Sequence, residues 1–472
     1  MALHFSRDTK VFCKQGSNVW ELPILDGFSF SQATNASEIT LNEMESSAGS
    51  RRARQMFNDS YAPAEWSFST YARPNYGTCA EEALWANFVA ANSYSGSWSA
   101  GVTVSGGTTT FDFDDSNKAA LGTFDLFFVM GASSDTDDNF SGSTDGGDIT
   151  IYKLEGCVAN EVSVDFDIDG ISTLNWSGFG KIITEVDTFN GSSALDRAIT
   201  STSNFIRNRL TTLDIASSIS GSSKTYSLTL TGGNITFSNN ITFLTPETLG
   251  IVNQPLGHVT GTRSISGNFT CYLDTGADKS RELFEDVIEA TTTVTNSFDM
   301  AFNIGGGTAP KLVVDIPTAH LEVPTHSIDD VISLEANFHA LPSTIDGTDE
   351  ATVAYTGVQT GSAPTVSNAL SYTEITDASA PGDLTVTVTT ANANGETVYV
   401  NLTSGNGEVK RYFATTALSN QAVVTVDEVD MIALADGGAT AEDGTITVAS
   451  TITTATSGSV TDSDTITLNE SA

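Results

Sequence analysis

The chain has 472 residues, of which 58 are acidic and 20 are basic, giving a formal charge of −38. This balance argues against a protein that grips nucleic-acid phosphates, because such binding needs clustered Lys and Arg. The length allows two to four domains with cores of their own. The first ten residues lack the apolar stretch of a signal peptide, and the longest apolar run, residues 126–132, is too short to cross a bilayer. We therefore expect no membrane insertion.

The composition indicates a mainly β protein. Gly, Ser and Thr are plentiful, Pro is sparse, and short alternating runs are separated by turn residues, with only two clear helical windows. The cysteines are too scattered for a disulfide framework, so we expect buried free thiols in a protein made in a reducing cytoplasm. They are Cys13, Cys79, Cys157 and Cys271.

A predicted hairpin near the start is followed by a long strand and a helix. Within residues 55–74, Trp66 and Phe68 alternate with polar residues, which is typical of a strand buried on one face. Thr78 and Glu81 have the spacing of a capping box and predict the start of a helix. The apolar positions of that helix are Leu84, Trp85, Phe88 and Val89.

Residues 101–147 are rich in Asp, Ser and Gly and have no counterpart of equal length elsewhere, so we interpret them as a hairpin insertion with a solvated acidic loop. Asp165, Asp167 and Asp169 then begin like an EF-hand loop, but position twelve is Trp176 instead of Glu, and no helices flank the motif. The alternation of these aspartates with apolar residues predicts a strand with one acidic face.

The same order of elements returns about two hundred residues later. Residues 269–272 match residues 68–71, and a second predicted helix carries apolar residues at the spacing of the first. The opening hairpin recurs as well, and residues 168–171 match residues 328–331. The shared order and offset indicate that one module is present twice.

The composition changes again after residue 356. A Gly- and Ser-containing linker leads into short strands divided by turn signals, a rhythm that fits an immunoglobulin-like β-sandwich without the usual Cys pair or Trp. The predicted division is a first module at 1–180, a second at 181–356 with its own linker at 181–203, a linker at 357–369 and the last domain at 370–472.

Few local motifs indicate chemistry. No nucleophile elbow, P-loop or H-E-x-x-H motif occurs, and carboxylate pairs are too common in so acidic a chain to mark a glycosidase. His320, His326 and His339 lie close in sequence, but zinc needs three or four converging ligands, and Pro324 interrupts the strand between the first two. We expect ordinary strand histidines, no cofactor and no enzyme.

Longer motifs carry a family resemblance. FNDSYAPAEWSFSTY, LNWSGFG, NNITFLTP and VPTHSIDDVISLEANFHALPS follow one another between residues 57 and 343. In these motifs the chain resembles the major tail tube protein of long-tailed, sheathless (siphoviral) phages, in the type with two fused tube modules and a C-terminal immunoglobulin-like domain. The resemblance covers roughly residues 1–355 closely and is only architectural over the last hundred.

The resemblance implies a fold and a role. The fold is mainly β, with two tandem tail-tube modules, each a β-sandwich or partial barrel with one flanking α-helix, followed by an immunoglobulin-like β-sandwich. The role is that of a structural virion protein of the tail tube, made in the bacterial host cytoplasm. Three chains would form a pseudo-hexameric ring, rings would stack into a hollow tube, and phage double-stranded DNA would pass non-specifically through the lumen. Further partners would be the tape-measure protein and the tail terminator and tip proteins.

Two groups of residues are candidate sites. The first is a basic cluster in an acidic chain, either a contact between subunits or rings or an exposed loop without a role. It comprises Arg51, Arg52 and Arg54, together with Phe57. The second is an acidic stripe that faces either the lumen or outside solvent, formed by Asp165, Asp167 and Asp169.

Two functions of other classes compete with a tail tube. A tandem β-domain surface adhesin would use its last domain to bind cell-surface glycans, and a signal peptide or anchor would favour it. An acidic β-sandwich hydrolase would need one aromatic-lined cleft with convergent carboxylates instead of two equivalent modules.

Overall fold

The structure, a computed structural model, describes residues 4–39, 55–74, 79–105, 107–113, 121–132, 139–141, 149–191, 194–195, 204–217, 224–246, 248–249, 251–289, 297–328, 330–345, 347–358, 365–376, 382–391, 393, 396–405, 409–415, 421–436, 444–454 and 458–469. These residues are mainly in β-strands, with three α-helices among them, which confirms the predicted fold class.

The elements fall into three successive groups. The first group is β1 (Thr9–Gln15), β2 (Asn18–Leu22), β3 (Ser29–Ile39), β4 (Gln55–Tyr71), α1 (Ala80–Val89), β5 (Val102–Ser105), β6 (Thr108–Asp112), β7 (Phe124–Met130), β8 (Asn139–Ser141), β9 (Thr150–Asp167), β10 (Thr173–Gly180), β11 (Ile182–Val186) and β12 (Thr188–Asn190). The second group is β13 (Thr212–Ser217), β14 (Lys224–Ser227), β15 (Leu230–Ser238), β16 (Thr242–Leu244), β17 (Gly257–Val259), β18 (Ser264–Tyr272), α2 (Ser280–Glu289), β19 (Phe298–Ile304), β20 (Lys311–Leu321), β21 (Thr325–Ile328), β22 (Ile332–Ala340) and β23 (Thr352–Thr356).

The third group is β24 (Thr365–Leu370), β25 (Glu374–Thr376), β26 (Leu384–Ala391), β27 (Thr397–Thr403), β28 (Val409–Thr415), β29 (Gln421–Val426), α3 (Glu428–Asp436), β30 (Gly444–Thr454) and β31 (Gly458–Asn469). Short 3₁₀ turns lie at Ser6–Asp8 and Asn208–Leu210.

The first two groups repeat one topology. In the first, antiparallel pairing runs β2-β1-β7-β9-β10-β4-β3. In the second it runs β14-β13-β19-β20-β22-β18-β15. In chain order, α1 follows β4 and α2 follows β18, which are equivalent strands. In the same way, β11 pairs with β9 and β23 pairs with β20. We call these sets the first and second repeats; their identical order supports the duplication inferred from sequence.

Alternation along the strands builds the core. In β4, Trp66, Phe68 and Thr70 are buried, while the residues between them are more exposed, as the period-2 pattern predicts. Burying one face of a strand is favourable because apolar surface leaves water, at ~25 cal/mol per Å². A single apolar cluster extends over both repeats. The two repeats are therefore packed together and do not form separate cores.

The repeats are joined through two strand pairings. β9 of the first repeat pairs antiparallel with β15 of the second, which we call the internal junction. The β5–β6 hairpin of the first repeat reaches across to pair with β23. Between these pairings, every residue of α1 is buried. Both repeats cover this helix, since Trp85 contacts Phe237 and donates a hydrogen bond to Tyr355, which both belong to the second repeat.

Part of the predicted insertion belongs to the core. Residues 101–147 include the β5–β6 hairpin, which has no counterpart among the described residues of the second repeat, but they also include β7, a central strand equivalent to β19. The predicted insertion was therefore too long. Most of β7 is a continuous apolar run without alternation, and periodicity alone does not identify such a run as a strand. Residues 181–203, expected to be a linker, contain β11 and β12.

The start of α1 differs by one residue from the predicted capping box. The residue preceding the helix is Cys79, with no side-chain capping bond, and Thr78 lies outside the described residues. Glu81 is buried with its carboxylate 3.6 Å from the guanidinium of Arg73. The predicted apolar positions of the helix are all buried.

The cysteine prediction is confirmed, since all four thiols are free and buried. Burial raises the pKa of the Cys157 thiol well above its usual range, with the nearby Asp125 carboxylate acting in the same direction. Such a thiol stays protonated and behaves as a small apolar group.

The third group folds around a core of its own. A three-stranded sheet, β24-β26-β29, and a five-stranded sheet, β25-β31-β30-β27-β28, enclose a second apolar cluster together with α3. Hydrogen bonds join this body to the part of the chain that precedes the second repeat. The Tyr399 hydroxyl donates to the carbonyl of Ala194 at 2.8 Å, and Arg411 Nη2 donates to Oδ1 of Asn18 at 2.5 Å.

Candidate assembly edges and polar sheet face

One curved run of strands crosses both repeats and ends in two free edges. The run is β3-β4-β10-β9-β15-β18-β22-β21, with the C-terminal end of β20 also on β22. Among the described residues, β3 pairs only with β4 and β21 pairs only with β22. All four residues of β21 are exposed. Among the described residues, each of these two strands therefore lacks a second neighbouring strand, and such an edge is open to strand pairing.

The internal junction shows what such edges look like when they are joined. Its register places Asp165 opposite Asn234, Val164 opposite Ile235 and Ser163 opposite Thr236. The Asn234 side-chain amide donates to Oδ1 of Asp165. Val164 and Ile235 are fully buried. The junction thus has one polar face and one apolar face, as the rest of the run does.

The apolar face of the run carries α1 and the shared core, and the opposite face is polar. Hydrogen bonds cross the strands along that polar face: Ser69 Oγ donates to Asn175 Oδ1 at 2.7 Å, and Asn175 Nδ2 donates to Asp165 Oδ2 at 2.8 Å. In the second repeat, Asn268 Nδ2 donates to Glu335 Oε1 at 3.1 Å. We call this surface the polar face.

The charge on the polar face has one sign. Its exposed carboxylates are Glu65, Glu161, Asp165, Asp167 and Glu335. None of β3, β4, β10, β15, β18, β21 and β22, nor the C-terminal half of β9, contains a Lys or Arg. The basic Lys153 lies in the N-terminal half of β9 and forms salt bridges with Asp125 and Glu155 at 3.2 and 2.9 Å. The polar face thus combines uncharged hydrogen-bonding groups with negative charge.

The predicted acidic stripe divides between a strand and a turn. Asp165 and Asp167 are exposed on the polar face, and Val164 and Phe166 between them are buried. Asp169 lies in the β9–β10 turn, 3.7 Å from the guanidinium of Arg209. Among the described residues no group of three or more His, Cys, Asp or Glu is placed to hold a metal ion.

The predicted contact cluster is only partly described. Arg51, Arg52 and Arg54 lie outside the described residues. Phe57 lies near the start of β4 with a side chain that is 55% exposed, next to the exposed Met56. No described helix is long and apolar enough to cross a membrane.

The β21 edge was missed in the sequence. Pro324, which interrupts the predicted strand between His320 and His326, is the sequence signal for this edge. Pro lacks an N–H and is confined to edge strands or bulges within sheets, so its position after β20 marks the outer side of that strand. His326 on β21 does not join the other histidines, since its ring packs on Phe284 of α2 at 4.7 Å between centroids.

No protein-family model matches the chain. It is 29% identical over 382 residues to the tail tube protein pb6 of Escherichia phage T5, a match that covers 76% of this chain and 77% of that protein. The similarity agrees with the family resemblance carried by the sequence motifs. The motifs, the mainly β fold and this similarity support a tail tube protein of the siphoviral type, a structural component of the virion.

Proposed function

We propose that three copies of this chain close a ring of six repeats, that rings stack into the tail tube, and that phage DNA passes along the polar face on its way into the host. The observation that carries this proposal is the pair of free edges. One chain contains a complete junction between its repeats, and its two ends present the same two strand types, each without a second strand partner among the described residues. A closed sheet removes such edges altogether.

The size of a three-chain barrel suits a duplex. The run contains eight strands per chain, so three chains bring twenty-four. At a spacing of ~4.8 Å, twenty-four strands close at a backbone diameter of ~37 Å before strand tilt widens it. Side chains ~5 Å deep on the inner wall leave a bore of ~27 Å. A bore of this width is larger than the outer diameter of a B-form duplex.

The chemistry of the polar face suits sliding. A wall of Ser, Thr and Asn with scattered carboxylates repels phosphates weakly and offers no Lys or Arg to release counterions. A polyanion therefore finds no point along the wall at which it binds tightly. In this proposal Asp165 and Asp167 face the lumen. The same wall would contact the tape-measure protein before DNA replaces it.

Stacking of rings has a basis at the two ends of the individual strands, which would form the upper and lower surfaces of a ring. At one end, exposed apolar side chains occur on β4 and on the loop between β16 and β17, namely Met56, Phe57, Leu249 and Ile251. At the other end they occur in the turns after β9 and β21, namely Ile168, Ile171 and Val331. Two different apolar surfaces at opposite ends favour head-to-tail contacts, which repeat without closing. Tail terminator and tip proteins would cover the last rings.

The strand pairings and the separate core of the third group suggest how the chain is divided into domains. We assign the two repeats to the two tube modules, with β11 and β12 in the first, residues 357–369 to a linker and residues 370–472 to an immunoglobulin-like domain. The separate core of the third group and its two facing sheets support this assignment. In the tube this last domain lies on the outside, because the run has no strand from it.

Electron microscopy of the concentrated protein tests the proposal. Hollow tubes built of rings with threefold symmetry are expected, and class averages distinguish two, three or four chains per ring. Compact monomers at every concentration would contradict the proposal, as would filaments without a bore.

A further inference from the structure

We infer that the ring closes with a defined strand register, in which Ser29 on β3 of one chain lies opposite Ser327 on β21 of the next. This inference rests on the proposed ring and gives its contact between chains at residue level. The partner is a second copy of the chain, because the internal junction already joins the equivalent strands within one chain.

The register follows from the strand pairing of the two repeats. Phe68 in β4 is equivalent to Phe269 in β18, so the preceding residues, Ser67 and Asn268, are also equivalent. The residues that pair with Ser67 and Asn268 on the neighbouring strands are then equivalent as well. Those partners are Ser29 on β3 and Asn234 on β15.

The other side of the junction is aligned in the same way. Leu174 on β10 pairs with Thr70 and Val164, and Leu334 on β22 pairs with Cys271 and His326. His326 is therefore equivalent to Val164, and Ser327 is equivalent to Asp165. The observed pair Asn234–Asp165 then corresponds to Ser29–Ser327 between chains.

The faces of the strands agree with this register. It places Ser31 opposite Thr325 on the polar face. On the apolar face it places Phe30 opposite His326. Because side chains alternate, a slip of one residue would move Phe30 onto the polar face.

Phe30 and His326, the proposed pair on the apolar face, each already contact aromatic rings within the single chain. Phe30 packs on Phe128 at 4.6 Å and on Tyr152 at 5.5 Å between ring centroids. His326 packs edge-on against Phe284 of α2 at 4.7 Å. Closure would join these groups into one aromatic column. It would also place Phe28 opposite Ile328, which is 79% exposed in the single chain.

The junction between chains differs from the internal junction at one position. The register puts Pro324 opposite Gln32, where the internal junction has Val162 opposite Phe237. Pro has no N–H, so the ladder between chains has one donor fewer. An edge with a proline pairs less readily with other strands, which protects the free chain from indiscriminate pairing.

Paired cysteines test the register. The double variant Ser29→Cys/Ser327→Cys should form disulfides between chains on oxidation of assembled tubes, giving covalent dimers and closed trimers on a non-reducing gel. The matched control, Ser29→Cys/His326→Cys, places the thiols on opposite faces and should remain uncross-linked. The four native cysteines are buried, so they add no background. Both serines are exposed, and unchanged thermal melts of the variants verify that they fold.

The outcomes separate this inference from the proposed ring. Tubes by microscopy together with the Ser29/Ser327 cross-link support the register. Tubes with cross-linking only in a shifted pair, Ser29→Cys/Thr325→Cys or Ser31→Cys/Ser327→Cys, overturn the register and leave the ring. The absence of rings or tubes of the wild-type chain under all conditions overturns the ring, and the register with it.

Discussion

At the scale of single residues, Trp85 holds the two repeats together. It lies on α1 of the first repeat, is fully buried, and contacts Trp176 and Phe237 at 5.1 and 5.5 Å between centroids. Its indole N–H donates to the hydroxyl of Tyr355 on β23 at 2.8 Å. Burial raises the pKa of the Tyr355 hydroxyl well above its usual range, so this group stays protonated. One side chain thus bonds both repeats at the centre of their common core.

Tyr355→Phe should destabilise the joined repeats by ~1–3 kcal/mol, because it leaves a buried indole N–H without an acceptor. Urea unfolding followed by tryptophan fluorescence measures this loss. Tyr412→Phe is a suitable control. The Tyr412 hydroxyl donates to Asp430 within the third group, which has a core of its own. Equal stability of Tyr355→Phe and wild type would show that the bond contributes nothing.

Asp286 on α2 gives the second repeat a dependence on pH. Lys224 Nζ lies 2.8 Å from its carboxylate, and the Tyr226 hydroxyl also donates to it. Burial alone would raise the pKa of Asp286, but these hydrogen bonds outweigh burial and lower it. A lowered folded-state pKa stabilises the fold above the unfolded value and loses that contribution as pH falls through the folded value.

Asp286→Asn should therefore be less stable than wild type at neutral pH, and the difference should shrink as pH falls below ~3.9, the usual pKa of Asp. Denaturant unfolding at several pH values measures it. Glu285→Gln, exposed on the same helix, should match wild type throughout. A difference that persists unchanged into strong acid would contradict the linkage.

At the scale of elements, the two repeats solve one packing problem in opposite ways. Trp66 on β4 lies opposite Gly178 on β10, whereas Gly267 on β18 lies opposite Phe338 on β22. A Cβ on Gly178 would lie 2.2 Å from the Val158 carbonyl oxygen and 2.5 Å from the Trp66 ring. A Cβ on Gly267 would lie 2.1 Å from the Asn234 carbonyl oxygen and 2.8 Å from the Phe338 ring. Each aromatic ring occupies the space left by the glycine across the strand, so the large residue has changed strands between repeats.

Gly178→Ala and Gly267→Ala should each cost ~1–3 kcal/mol of unfolding free energy, because the added methyl group overpacks a closed site. Thermal unfolding by calorimetry measures the loss. Gly257→Ala on β17 is the matched control, since a Cβ there meets nothing within 4 Å. Losses of similar size at all three positions would indicate a general strand effect and not the rings.

Some of these elements were predictable from the sequence and others were not. Periodicity was enough for β4 and α1, whose alternating or helical pattern follows directly from the faces that they bury. The duplication was visible in motif order, but the Trp66/Gly178 exchange hides the equivalence at its most conspicuous residue. The free β21 edge and the β9–β15 register were not predictable, because both depend on pairing between segments distant in sequence.

At the scale of the whole molecule, charge opposes assembly. Each chain carries a formal charge of −38, so rings brought together repel one another at long range. Salt screens this repulsion, with a Debye length of ~10 Å at 0.1 M and ~3 Å at 1 M. The proposed contacts between rings involve exposed apolar side chains, and such contacts are not weakened by screening.

The critical concentration for tube formation should therefore fall as NaCl rises from 0.05 to 0.5 M (on the order of the range over which screening changes most). Light scattering or pelleting of the purified protein measures it. An uncharged osmolyte at equal osmolality serves as the control. Tubes that dissolve with added salt would show that ion pairs hold the rings together.

Reversing charge on the polar face should slow DNA release. Asp165→Lys/Asp167→Lys places cations along the proposed DNA path, and each phosphate contact adds affinity by counterion release. Phage carrying this tube should eject DNA more slowly, with the delay relieved by salt. Asp464→Lys, in the third group, is the control. Normal ejection by tubes that carry the lysines would remove these strands from the DNA path.

The internal junction has a further consequence for how a tube is made. In a ring of three chains, half of the contacts between neighbouring repeats already exist when each chain finishes folding, because β9 and β15 belong to one polypeptide. Those contacts are independent of protein concentration, and they guarantee that the two kinds of repeat alternate around the ring in equal number. Two genes for separate repeats would have to match their expression to achieve this order, whereas a single reading frame sets it at translation.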